Sequence, residues 1–198
     1  MRAVTLRVAV AVSGRGSNLL ALCEALADSS AAAVVLVVSE RNAPALELAR
    51  ARGIATHILA DHRDPAEWQR VLKAAGIELV VLAGYLKLVP AELVESWSGR
   101  IINIHPALLP RHGGPGMYGS RVHQAVLAAG DRESGATVHL VEAAYDRGAI
   151  LAQGRVEVLP GDTPEELAQR VLEVEHRLLP AVVLAAAKAG RPVPVSFP

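Results

Sequence analysis

Arg7-Val-Ala-Val-Ala-Val12 runs directly into Ser13-Gly-Arg-Gly-Ser-Asn18, and Leu19 to Ala27 follows with a helical pattern. The first run alternates β-branched valine with small residues, the second is rich in turn formers, and the third restores apolar spacing at helical period. Strand, tight turn and helix in that order open a βα unit. The same rhythm repeats downstream. Ala33 to Val38 is a continuous apolar run, as expected of a strand buried on both faces of a parallel sheet. Pro44 opens a helix to Arg52 that Gly53 stops, Thr56 to Leu59 reads as a short strand, and Asp64-Pro65 supplies N-cap and first turn for a helix ending near Gly76. Leu79 to Ala83 and Ile101 to His105 are two more buried strands. The alternation predicts an α/β fold with a mostly parallel, Rossmann-like sheet and right-handed crossovers.

After His105 the rhythm changes. Pro106 to Gly119 carries three prolines and four glycines, which predicts a long irregular loop. A helix over 121–129 and two strands, 136–141 and 150–158, come next, adding antiparallel strands to the sheet. Thr163-Pro164-Glu165-Glu166 has the residues of a capping box, and the long helix it starts is expected to kink or restart at Pro180. The 198 residues suit one domain: a phosphate-binding half to about residue 100, a second half over about 101–190, and a proline-rich tail, 191–198.

Composition narrows the class. Aromatics are 3% of the chain and apolar residues 52%, so the core is aliphatic. Twenty basic and twenty acidic residues cancel without blocks of like charge, which argues against nucleic-acid and membrane-surface partners. Arg2 and Arg7 flank an apolar run too short for a signal core, and no stretch reaches spanning length. With Cys23 as the only cysteine there is no internal disulfide, and a soluble, cytoplasmic protein is expected. No His-Glu-x-x-His or paired cysteines are present, so no metal is expected. Cys23, Trp68 and Trp97 read as packing residues, while His57, His62 and His112 read as solvated turn residues. Oligomeric state leaves no readable mark.

Two segments carry chemistry. In Ser13–Asn18, glycines allow close backbone approach at a helix N-terminus, where N–H groups and the positive dipole end hold anions. Three readings fit: a site for one terminal phosphate, a dinucleotide fingerprint using Gly14, Gly16 and Glu40, or a plain turn with Asn18 as N-cap. The dinucleotide reading lacks its third glycine, since Leu19 stands there. In Ile101–Pro106, Asn103 and His105 share one strand face at the carboxyl edge of the sheet. Both either cap the sheet and hold the following loop, or serve acyl transfer to an amine as oxyanion donor and proton shuttle. Asp146 would then orient and charge-balance the imidazole, if its turn returns to that edge.

Ser13-Gly-Arg-Gly-Ser-Asn-Leu19, Leu82-Ala-Gly-Tyr85, Asn103-Ile-His-Pro-Ala-Leu-Leu-Pro110, Thr137-Val-His-Leu-Val141, Asp146-x-Gly148 with Gln153, and Glu175-His176 occur in order. Together they resemble the folate-dependent formyltransferase family, and the Gly-Ser-Asn loop points to its glycinamide ribonucleotide branch. The resemblance implies transfer of formyl from 10-formyltetrahydrofolate to the amine of glycinamide ribonucleotide, in purine biosynthesis. It implies that Gly16, Ser17 and Asn18 hold the phosphate and Glu175 the ribonucleotide, with Asn103, His105 and Asp146 catalytic. Arg63, Leu86, Lys87, Leu88, Val89 and Glu142, Ala143, Ala144, Tyr145, Asp146 correspond to folate-side positions, with Asn103. Two departures stand out: the extended 111–122 loop, and Leu172 where relatives often carry a polar residue. A methionyl-tRNA formyltransferase would need a second, basic domain. A formyltetrahydrofolate hydrolase would be expected to carry a domain ahead of the first strand. An NAD(P)-dependent oxidoreductase or a non-catalytic binding module are the readings from other classes.

Overall fold

The computed structural model describes residues 5–198; Arg2 lies outside them. The elements are β1 (Leu6–Ala11), α1 (Ser17–Leu26), β2 (Ala32–Ser39), α2 (Pro44–Ala51), β3 (Ala55–Ile58), α3 (Pro65–Ala74), β4 (Leu79–Ala83), α4 (Ala91–Ser96), β5 (Ile101–His105), α5 (Ser120–Ala128), β6 (Glu133–Leu140), β7 (Ile150–Glu157) and α6 (Pro164–Ala189). One seven-stranded sheet has the order β3-β2-β1-β4-β5-β6-β7. The first five strands are parallel, and β6 and β7 join antiparallel. The strand order therefore reverses between β1 and β4, and loops leaving the carboxyl ends there splay apart to form a crevice.

Strand alternation sorts the core into two layers. Val8, Val10, Val81, Ile102 and Ile104 pack with α1, α2 and the buried face of α6. Ala9, Ala11, Val80, Leu82 and Ile101 pack against α3 and α4, where Trp68 and Trp97 are buried. Asn103 and His105 continue the face of Ile101, so the second layer ends in polar groups at the sheet's edge.

Several expectations are corrected. Asn18 does not cap α1: Gly16, in the left-handed region at φ 83°, is the N-cap, and Asn18 is the second helical residue. A Cβ on Gly16 would sit 2.6 Å from the Ala45 Cβ, so the glycine also lets α2 approach the turn. The last helix does not restart at Pro180; α6 is one run of 26 residues with that proline inside it. The proline removes one N–H from the ladder, while the fully buried Leu178, Leu179, Val182 and Val183 hold both halves on the sheet. Its capping box, Thr163 with Glu166, is formed. The short helix α4 escapes the sequence reading because six residues show less than two turns of periodicity. The histidines expected in solvent have partners instead. His57 lies in β3 with Nε2 2.9 Å from Glu67 Oε1, and His112 Nε2 is 2.7 Å from Asp131 Oδ2. His62 is in a turn but half-buried.

Candidate active site

Backbone geometry after three neighbouring strands builds the site. The turn after β1 delivers Ser17 and Asn18, the Gly84–Val89 segment after β4 delivers Leu86, and β5 ends on Asn103 and His105. A cleft of about 460 Å³ runs between them, bounded by α6 and by the 114–120 part of the extended loop. A smaller hollow of about 60 Å³ opens off it between Val89 and the 142–146 turn.

At one end of the cleft Asn18 Nδ2 donates to Glu175 Oε2 at 2.5 Å, and both side chains are buried. Burial pushes the Glu175 carboxyl up to about 7, with the Asn18 amide opposing only in part. The Asn18 Oδ1 has no hydrogen-bond partner.

At the other end four side chains meet. Asp146 reaches the edge of the sheet because its turn folds back over β6; it takes φ 52°, which a short polar residue tolerates. Gly148 keeps that turn flat, since a Cβ there would overlap the Leu140 carbonyl. The Asp146 Oδ2 lies 3.7 Å from His105 Nδ1 and accepts the Gly114 N–H at 2.8 Å. Its Oδ1 lies 3.4 Å from His139 Nε2. His139 Nδ1 is 2.7 Å from the Leu140 carbonyl, which can only accept, so Nδ1 carries the proton. Its Nε2 donates to Asp146 Oδ1 when the ring is charged, and when the ring is neutral it accepts from Asn103 Nδ2 at 3.1 Å. This orients the Asn103 amide and leaves its second N–H for the cleft. His105 Nε2 donates to the His112 carbonyl at 2.8 Å.

Burial drives the His105 imidazole below its ordinary pKa, against the opposing pull of Asp146. Burial alone would raise the Asp146 carboxyl, but the His139 ring, the charge of His105 and the Gly114 N–H hold it below the usual carboxylate range. The pair thus combines a readily deprotonated imidazole with a fixed anion ready to balance it once charged.

Of the expected residues, Ser17, Asn18, Glu175, Asn103, His105, Asp146, Leu86 and Tyr145 all face the large cleft. Lys87, Leu88, Val89, Glu142 and Ala144 line the hollow, and Gly16 stands behind as backbone. Ala143 lies one step outside, in a depression beside Pro115. Arg63 is not brought to the cleft: it is exposed and paired with Asp61 at 3.2 Å. Leu172 does line the cleft, as an apolar wall. Sequence reading missed Arg15, Met117, Tyr118 and His123, all on the cleft, and gave His139 only as a member of the Thr137–Val141 motif, although it touches both Asn103 and Asp146. Its period-two spacing along β6, pairing with Asn103 across the antiparallel ladder, was the available signal.

A doubly wound sheet with a glycine turn and helix N-terminus at its switch point, and a buried His–carboxylate pair with an amide beside it, defines an α/β protein with its candidate site at the carboxyl ends of the strands. The chain belongs to the formyl transferase family, whose profile matches residues 6–183. It is 47% identical over 186 residues to the chloroplastic phosphoribosylglycinamide formyltransferase of Arabidopsis thaliana, covering 89% of this chain and 64% of that protein's length. It is 34% identical to the Escherichia coli phosphoribosylglycinamide formyltransferase over 90% of this chain and 85% of that one. The crystal structure of the Anaplasma phagocytophilum phosphoribosylglycinamide formyltransferase superposes with a TM-score of 0.87 at 37% identity, covering 93% of this chain and 87% of that one. Among the described residues, no helix is long and apolar enough to cross a membrane.

Proposed function

We propose that the chain transfers the formyl group of 10-formyltetrahydrofolate to the amino group of glycinamide ribonucleotide. The observation that carries this reading is the meeting of Asn103, His105 and Asp146 at one end of a cleft whose other end is the α1 N-terminus and Glu175. A phosphate at the turn and a folate against Leu86–Val89 and the 142–146 turn would bring amine and formyl carbon together beside His105. The relatives named above are phosphoribosylglycinamide formyltransferases by name, and the neutral net charge suits small-molecule substrates rather than nucleic acid. A reducing compartment, the cytoplasm, suits the single half-buried cysteine.

In this reading the neutral amine attacks the formyl carbon, forming the new C–N bond and placing the electron pair on oxygen. The free N–H of Asn103 donates to that oxyanion. The His105 imidazole takes the proton from the attacking nitrogen and delivers it to N10 of the folate as the old C–N bond breaks. Asp146 stabilises the imidazolium between those two steps. No covalent enzyme intermediate is involved, because the cleft holds no activated nucleophile: Cys23 lies outside it, and burial raises its thiol.

Deformylation of 10-formyltetrahydrofolate, followed by absorbance with and without glycinamide ribonucleotide, tests the assignment. Turnover that requires the amine supports it. Turnover without the amine would make the protein a hydrolase, and none in either case would remove the enzymatic reading.

A further inference from the structure

Glu40 follows β2 at the place where a dinucleotide site would use an acid, yet its carboxylate is turned inward, 6% exposed. Its Oε2 accepts the Ser13 hydroxyl proton at 2.9 Å. A serine hydroxyl has one proton, so giving it to Glu40 turns an oxygen lone pair outward, and that lone pair accepts the Leu86 N–H at 2.9 Å. The rest of Ser13 is engaged as well. Its N–H donates to the Gly84 carbonyl at 3.1 Å, and its carbonyl accepts Arg41 Nε at 2.9 Å, while Arg41 Nε also lies 3.4 Å from Glu40 Oε1. Ser13 is 3% exposed, so these bonds do not compete with water.

The chain Glu40–Ser13–Leu86 crosses the switch point of the sheet. It ties the turn that precedes α1 to the segment after β4, the two walls that face opposite substrates. We propose that Ser13 and Glu40 are positioning residues that set the Leu86–Val89 wall of the folate pocket from the base of the phosphate turn. This rests on the reading above, in which the folate lies against Leu86–Val89. The segment has a second anchor: Tyr85 is buried edge-on to Trp68, with ring centroids 5.8 Å apart. Losing the Ser13 bond therefore shifts Leu86 and leaves the fold in place.

Steady-state kinetics on the full chain test this, with each substrate varied in turn. Ser13→Ala is expected to raise KM for 10-formyltetrahydrofolate about tenfold, the scale of one lost buried hydrogen bond. KM for glycinamide ribonucleotide and kcat should change by less than about threefold. Glu40→Leu, which removes the acceptor that orients the hydroxyl, reproduces that split. Glu40→Gln keeps an acceptor and should restore the folate KM to within about threefold of wild type. A general loosening would raise both KM values together; that result, or an unchanged folate KM in both Ser13→Ala and Glu40→Leu, overturns the inference. If wild type shows no amine-dependent turnover, the functional reading fails first and takes this inference with it.

Discussion

Replacing Asp146 by Asn isolates the charge beside His105. The amide keeps the size of the carboxylate, tolerates the left-handed φ of 52°, and still offers an oxygen to the Gly114 N–H. What it removes is a negative charge 3.7 Å from Nδ1 of an imidazole almost wholly out of water. A unit-charge pair at that separation is worth about 4 kcal/mol at an effective dielectric of about 20. That energy is lost where the imidazole is charged, in the transition state, so turnover should fall by at least about a hundredfold. The sign of the pH effect also follows. Burial already depresses the His105 pKa and Asp146 opposes it, so the amide lets it drop further. The acid limb of the kcat/KM profile should move to lower pH while its plateau falls. The amine-dependent deformylation assay from about pH 5 to 9 measures both. Activity within about threefold of wild type, or a limb that moves to higher pH, would refute the pairing of Asp146 with His105.

Glu175→Gln should change stability in a pH-dependent way. The folded carboxyl titrates at about 7, above its unfolded value, so wild-type stability is greatest below about pH 4.5 and declines as pH rises through about 7. Melting curves should therefore show the Gln variant matching wild type near pH 5 and exceeding it above pH 8, by up to about 3 kcal/mol; equal stability at both would sink the buried-anion account. Gly16→Ala forces a Cβ to 2.6 Å from Ala45 at a positive φ, and should cost at least about 1 kcal/mol and raise KM for the ribonucleotide. Unchanged melting and an unchanged KM would show that the turn does not depend on its close approach to α2. His139→Ala frees the Asn103 amide to rotate, and kcat should fall about tenfold or more with little change in either KM; an unaltered kcat would mean that Asn103 holds its orientation without His139.

The alternation of buried strands and capped helices was legible along the chain because each signal is local. Valine runs, Pro44, Asp64-Pro65 and Thr163 through Glu166 act within a few residues, and the strands at 79–83 and 101–105 lie where the pattern puts them. The common face of Asn103 and His105 was equally local, a consequence of the two-residue strand repeat. Tertiary structure decided what those residues touch. Asp146 reaches His105 only because β6 and β7 run antiparallel beside β5, and His139 enters the same cluster through pairing that spans 36 residues. Asn18, read in the loop either as a phosphate donor or as a helix cap, reaches Glu175 on α6, 157 residues away. Glu40, the acid that the dinucleotide reading would use, instead accepts the proton of a buried serine. Local sequence determines which backbone conformations and faces are available, whereas the partner of a buried polar group is whatever donor or acceptor the packed sheet brings to it. That partner set, rather than the motif, makes the site.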